Sequence, residues 1–319
     1  PSPARLRRLV QELAEDGFEL DGTDEWRTLL LFELDYALRP KIHERRVPSF
    51  GAIVAPTTDP AGWNGSTELT IAHQTLGETP LYAARVFADG LSSWLVRQHG
   101  TPNELVVFDR PAGSERDLVV LAEAFGATVV QRHPNGAVRF VGDFGVLRWD
   151  GLGWHHEPPI ASWIDSLRVC AYTGDRDVLE TLLEFAVHDL GARGIGATLV
   201  YRPNDDEPLS YEVRLPTPPP LGILTPSNLA PLRHVLSQVD GAAVFDADGI
   251  LRELGVRLVP SAEAETVVAG LRGMRHTSGR RYSFDDPVAT IVVISEDGPV
   301  TVLRNGEVLG TSPTGAHPA

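Results

Sequence analysis

The 319 residues carry 28 Lys and Arg against 43 Asp and Glu, a formal net charge of −15 with histidine neutral. That balance argues against broad nonspecific binding to nucleic acid or anionic lipid and leaves room for a local basic pocket only. At roughly 150 residues per domain the length predicts about two domains, each able to bury its own core. The single cysteine, Cys170, excludes an intramolecular disulfide framework and a cysteine-rich metal site. With no signal-peptide pattern and no apolar run of about 18 residues, the expectation is a soluble, cytoplasmic protein.

In chain order, Leu6, Leu9, Val10 and Leu13 recur at helical spacing among charged residues, and a second apolar segment surrounds Leu29 to Phe32. Gly51 to Ala55 reads as a strand, followed by a loop rich in Pro, Gly, Asn and Thr to about residue 67. Tyr82 to Val96 has helical periodicity, Glu104 to Phe108 is a short buried strand, Leu118 to Phe125 is helical and Ala127 to Val130 is again strand-like. This alternation argues for an α/β domain over 1–160. Its final stretch, Gly136 to Trp154, reads as a β-meander, and Trp154-His155-His156-Glu157 offers ligand types suited to zinc. Adjacent histidines on a strand point to opposite faces, so a surface or packing role is the better reading. Phe87 to Leu91 and Gln131-Arg132-His133 faintly echo later motifs and are read as coincidence; no internal repeat is defensible.

Pro158-Pro159 begins a connector, placed at 161–174, from which Trp163 to Tyr172 leads into a second domain over 175–310. That domain opens with a helix near Asp177 to Leu190, broken by Gly191 and Gly194, then a strand over Ile195 to Tyr201, an acidic loop over Asn204 to Glu207 and a stiff Pro216 to Pro220 crossing. Asn228 to Ser237 suggests a helix. Ala242 to Phe245 and Leu251 to Leu258 are β segments around Asp246 to Gly249, and Glu263 to Leu271 looks helical. Ala289 to Ser295 and Val300 to Leu303 flank Glu296-Asp297-Gly298, Asn305-Gly306 marks a turn, and the 311–319 tail is expected to be weakly ordered.

Two short segments carry chemistry. Asp240 stands at the lip of a strand, where an acid can orient a metal ion or accept a proton from a sugar hydroxyl, and Gly241 and Ala242 keep that surface small. An ordinary Asp-Gly turn before a strand would look the same. Gly273 to Ser278 gathers Met274, Arg275, His276, Thr277 and Ser278, with Arg280 and Arg281 following. A guanidinium fork, an imidazole, two hydroxyls and nearby amides can cradle phosphate oxygens, although a solvated loop with three arginines would also fit.

The order of these motifs resembles the diadenylate cyclase domain of bacterial and archaeal makers of cyclic di-AMP. The match runs from about residue 175 to 310: the leading helix, the strand Ile195-Gly196-Ala197-Thr198-Leu199-Val200, the Asp-Gly-Ala motif at Asp240, the Gly-x-Arg-His segment and Val292 to Gly298. The resemblance implies a two-domain α/β protein whose C-terminal domain is a mixed central sheet flanked by helices. It implies that Asp240 serves the attacking ribose hydroxyl and a Mg2+ or Mn2+ ion, with Gly241 and Ala242 completing that motif. Met274 to Ser278 and Ser295 are implied to bind the nucleotide. The chain departs from the family's Thr-Arg-His-Arg at Met274-Arg275-His276-Thr277, which removes one guanidinium. The expected function is condensation of two ATP into cyclic di-AMP and two pyrophosphates by facing domains of a dimer or higher even homo-oligomer, with no membrane or nucleic-acid partner. An inactive receptor for an adenine nucleotide or cyclic dinucleotide is the alternative. A soluble α/β domain before the cyclase-like one resembles the archaeal type and has a sensory or regulatory role on this reading.

Overall fold

In the computed structural model, residues 1–20, 25–40, 47–167, 174–203, 211–213, 215–296 and 299–312 are described. Cys170, the 204–207 loop and Asp297-Gly298 lie outside them. The chain divides into two compact units, with the boundary after Pro159. Among the described residues no helix is long and apolar enough to cross a membrane.

The first unit comprises α1 (Pro3–Glu15), α2 (Glu25–Leu38), β1 (Phe50–Val54), β2 (Ile71–Thr75), α3 (Leu81–Ala84), β3 (Ser93–Arg97), β4 (Glu104–Phe108) and α4 (Glu115–Phe125). A meander of β5 (Thr128–Arg132), β6 (Val138–Gly142), β7 (Gly145–Trp149) and β8 (Trp154–Glu157) ends it. Its sheet has the order β2-β4-β3-β1-β5-β6-β7-β8. One face packs on α1 and α2 through Leu9, Leu13, Leu30 and Leu34, the other on α4 through Leu118, Leu121 and Phe125. His155 bonds Asp150 and His156 bonds the Phe144 carbonyl, so the two imidazoles are spent separately.

The second unit comprises α5 (Ile160–Leu167), α6 (Arg176–Glu184), β9 (Ala197–Tyr201), β10 (Tyr211–Glu212), α7 (Pro226–Leu236), β11 (Ala242–Phe245) and β12 (Leu251–Leu258). It continues with α8 (Ala262–Val267), α9 (Met274–Asp285), β13 (Thr290–Ile294), β14 (Val300–Arg304) and β15 (Glu307–Thr311). The sheet order is β10-β12-β11-β9-β13-β14-β15. Because side chains alternate across a strand, Ile291 and Val293 of β13 face α9, while Val292 and Ile294 join the cluster of α6 and α7 residues.

The two units share one topology. Numbered from its own first strand, each sheet runs second, fourth, third, first, fifth, sixth, seventh, with β8 appended in the first unit. The first and third strands are parallel in both and the other pairings antiparallel. A helix precedes the third strand and another the fifth in each unit. The repeat is one of fold and not of sequence, as expected from a chain with no defensible internal sequence repeat: the units share short, largely apolar strands in the same order, without matching residues.

Several expected elements change. Tyr82 to Val96 is not one helix: α3 gives way to a short turn over Arg85–Phe87, and β3 follows. Asp89 breaks the helix by accepting hydrogen bonds from the amides of Leu91, Ser92 and Ser93 at 2.8, 2.8 and 2.9 Å, and Trp94, Leu95 and Val96 are then buried on both sheet faces. The connector begins as α5, whose Ile160 and Ile164 join the second core. Helix α8 stops at Val267 rather than Leu271. Thr311 ends β15, and the Ser312 hydroxyl accepts from the Val300 amide at 2.9 Å, so the sheet takes the first residues assigned to the tail.

Candidate nucleotide site

Strand register brings the two motifs together. In the second unit β9 and β11 run parallel with Thr198 opposite Ala242, while β13 runs antiparallel to β9 with Ile294 opposite Ala197. The start of β11, the start of β9 and the end of β13 therefore share one sheet edge, carrying Asp240, Gly196 and the pair Ser295-Glu296. Helix α9 lies on the sheet with its N-terminus at that edge, and an open cavity of about 1140 Å³ lies between them. Asp240, Gly241, Ala242, Met274 to Ser278 and Ser295 all line it. So do Glu296 and Arg281.

The Gly273–Ser278 segment is the first turn of a helix rather than a loop. Gly273, at φ +94°, is the N-cap and supplies no side-chain cap. Among the described residues the leading amides of α9 therefore have no side-chain cap, and Met274, Arg275 and His276, which carry them, line the cavity at the positive end of the helix dipole, the kind of helix start that binds phosphate. The contrast with the first unit is instructive. There α4, which also precedes the fifth strand, is closed by a Ser114–Asp117 capping box and carries Glu115 and Asp117 in its first turn, which repels an anion. Asp89 in that unit is consumed by its own loop, and Gln131 to His133 lie at the end of β5, not at a helix start; that second echo has no counterpart in α9.

Arg275 stands between two carboxylates. Its guanidinium donates to Asp240 Oδ1 at 3.5 Å and to Glu296 Oε1 at 3.4 Å, and the carboxylate side chains are 93% and 69% exposed. Ion pairs this open contribute at most about 1 kcal/mol, so a phosphate can replace a carboxylate at small cost. Gly196 makes the arrangement possible, since a Cβ there would lie 2.4 Å from Arg275 Nη1 and 2.8 Å from Glu296 Cγ. Asp240 is seated by a glycine pair: Gly241, at φ +108°, abuts Gly255 so closely that a Cβ would lie 2.7 Å from the Gly255 carbonyl carbon.

The remaining motif residues differ in what they can offer. Burial lowers the pKa of His276, so it presents a neutral imidazole near pH 7. The Thr277 hydroxyl donates to the Leu271 carbonyl at 2.8 Å and accepts from the Leu271 amide at 3.0 Å. Its proton is used to close the segment before α9. Ser278 donates to the carbonyls of Met274 at 2.9 Å and Arg275 at 3.2 Å, within the helix. Met274 is 90% exposed. Arg280 turns out of the cavity to the carbonyls of Gly306 at 2.6 Å and Ala269 at 3.2 Å. Among the described residues no three His, Cys, Asp or Glu side chains gather to hold a metal ion.

Glu296 and Gly196 lie within the resembling segment, and motif reading alone does not single them out as site residues. Their signal is the sheet edge: each adjoins a strand terminus that pairing places beside Asp240.

Residues 184–308 match the family described as DisA bacterial checkpoint controller nucleotide-binding, and residues 7–157 match the one described as Probable sensor domain DACNK. No curated protein matches the chain. Among solved structures, a hypothetical membrane spanning protein from Bacillus cereus is similar at 20% identity and a TM-score of 0.35, over 49% of this chain and 72% of that one. DacA from Staphylococcus aureus is similar at 19% identity and a TM-score of 0.27, over 41% and 84%. The chain is a two-domain α/β protein whose second domain carries the DAC (DisA nucleotide-binding) family match over residues 184–308 and whose first carries the DACNK match over residues 7–157.

Proposed function

We propose that the second domain binds ATP in the α9 cavity and that two such domains, face to face in a homodimer or higher even oligomer, condense two ATP into cyclic di-AMP and two pyrophosphates. One observation carries this reading: Arg275 is held between Asp240 and Glu296 at the mouth of a cavity headed by an uncapped helix N-terminus. The leading amides of α9 and Arg275 hold phosphate oxygens. Asp240, at the sheet edge, receives the proton of the 3′-hydroxyl of the opposing nucleotide. That oxygen forms a bond to the α-phosphorus, the bond from the α-phosphorus to the bridging oxygen breaks, and pyrophosphate leaves with its electron pair. Stabilisation of phosphate charge by pre-placed donors is the main contribution open to the protein in such a reaction.

The donor set also fits Mg2+ or Mn2+. Asp240 and Glu296 are hard oxygen ligands open to solvent, and such ions usually take one or two carboxylates together with substrate phosphates. When bound, the ion supplies charge neutralisation and eases formation of the sugar oxyanion. The first domain, in this proposal, regulates the second.

A receptor that binds an adenine nucleotide without turnover is the second reading, favoured by the commitment of Thr277 to Leu271 and the neutrality of His276. Asp240→Asn separates the two: it keeps shape and removes the charge. On the cyclase reading it nearly abolishes cyclic di-AMP formation while ATP still binds; equal rates in both proteins sink the role given to Asp240.

A further inference from the structure

Among the described residues three carboxylates and three guanidiniums line the cavity: Asp240, Glu265 and Glu296 against Arg257, Arg275 and Arg281. Most of the positive charge is already answered. Arg275 is bracketed by Asp240 and Glu296 at 3.5 and 3.4 Å, and Arg257 is drawn to Glu212 at 3.7 Å. His276 adds no charge near neutral pH because burial lowers its pKa. Arg281 differs. Its Nε donates to the Val268 carbonyl at 3.3 Å, and among the described residues no carboxylate pairs with it. It is half-buried in the cavity wall rather than on a solvated face.

Helix geometry directs it toward the site. Residues four apart share a helix face and side chains lean toward the N-terminus, so Arg281 lies over the turn that contains Thr277. Arg275 and Arg281 are separated by about 9 Å of helix rise, a span that a single phosphate cannot bridge.

We propose that Arg281 is a second phosphate contact of this cavity, binding the end of a polyphosphate distant from Arg275 and so selecting nucleoside triphosphates over monophosphates. The proposal rests on the nucleotide-binding reading above. The adjacent Arg280 has the other role: it fastens α9 to the Gly306 and Ala269 carbonyls.

The test is calorimetric titration of the intact chain with ATP, ADP and AMP, for the wild type, Arg281→Gln and Arg281→Lys. Arg281→Gln weakens ATP binding at least about tenfold, the scale of a hydrogen bond to a charged group, and leaves AMP within about twofold. Arg281→Lys is intermediate, because an ammonium keeps the charge and loses the fork. Melting temperatures stay near wild type, since the 3.3 Å bond to Val268 is the described hydrogen bond that is lost. If the wild type prefers ATP and both variants retain that preference in full, Arg281 is not a phosphate contact and the nucleotide site stands without it. If the wild type binds none of the three, this proposal falls together with the reading it rests on.

Discussion

Thr277→Val removes a hydroxyl while keeping the branched shape, and the structure says what that hydroxyl does. It makes two hydrogen bonds, one to the amide and one to the carbonyl of Leu271, which fix the segment between α8 and α9. At about 0.5–1.5 kcal/mol each, their loss costs about 1–3 kcal/mol. For a domain of this size a loss of about 2 kcal/mol lowers the melting temperature by about 4–8 °C. Hydrogen exchange provides the local readout, because the Leu271 amide loses its acceptor and exchanges faster. Affinity for ATP changes little if the hydroxyl is spent on the backbone. An unmoved melting temperature with unchanged Leu271 protection and a tenfold loss of ATP affinity would refute the reasoning, since the hydroxyl would then belong to the ligand.

Other outcomes are expected from the same geometry. Gly196→Ala places a Cβ 2.4 Å from Arg275 Nη1 and, by displacing the ends of flexible side chains, weakens ATP binding while the melting temperature holds; calorimetry and a thermal scan check both. Gly241→Ala is different in kind, because the new Cβ meets Gly255 backbone at 2.7 Å and φ is +108°; unfolding in urea shows a loss of at least about 1–2 kcal/mol, the scale of left-handed strain alone. In the first unit, burial pushes the Glu157 carboxyl up to about 7, with the nearby Glu115 adding and Arg148 opposing. The folded state then holds the proton more tightly than the unfolded state, so stability falls as pH rises from about 4.5 through about 7. Glu157→Gln flattens that dependence in denaturation curves recorded across this range; an identical slope in the variant excludes Glu157 as its source.

Much of the second domain was legible because its strands are apolar on both faces and bounded by strong punctuation. Asn305-Gly306, with φ of +49° and +74°, is the expected two-residue hairpin turn between β14 and β15. Helix α9 was not legible as a helix. It packs against Val293 and Leu303 through Gly279 and buries Tyr282 and Ser283, so its inner face is made of small and polar residues that leave no apolar period to detect. For the same reason Arg275 and its neighbours read as a basic turn, and their placement at an uncapped helix start emerged only from the fold. In the first unit, Trp94, Leu95 and Val96 continue the apolar spacing of Tyr82 and Val86, and only the three-amide grip of Asp89 separates a helix from a strand. The pairing of Asp240 with Glu296 through Arg275 depends on strand order, which spacing along the chain does not encode.

The most direct test of the account is incubation of the intact protein with ATP and Mn2+, followed by mass spectrometry of the products and of the nucleotide retained on the protein. The account expects cyclic di-AMP and pyrophosphate to accumulate from the wild type and to be nearly absent with Asp240→Asn, which still retains ATP. ATP recovered intact after prolonged incubation with wild type that has bound it would contradict the cyclase and leave a nucleotide receptor.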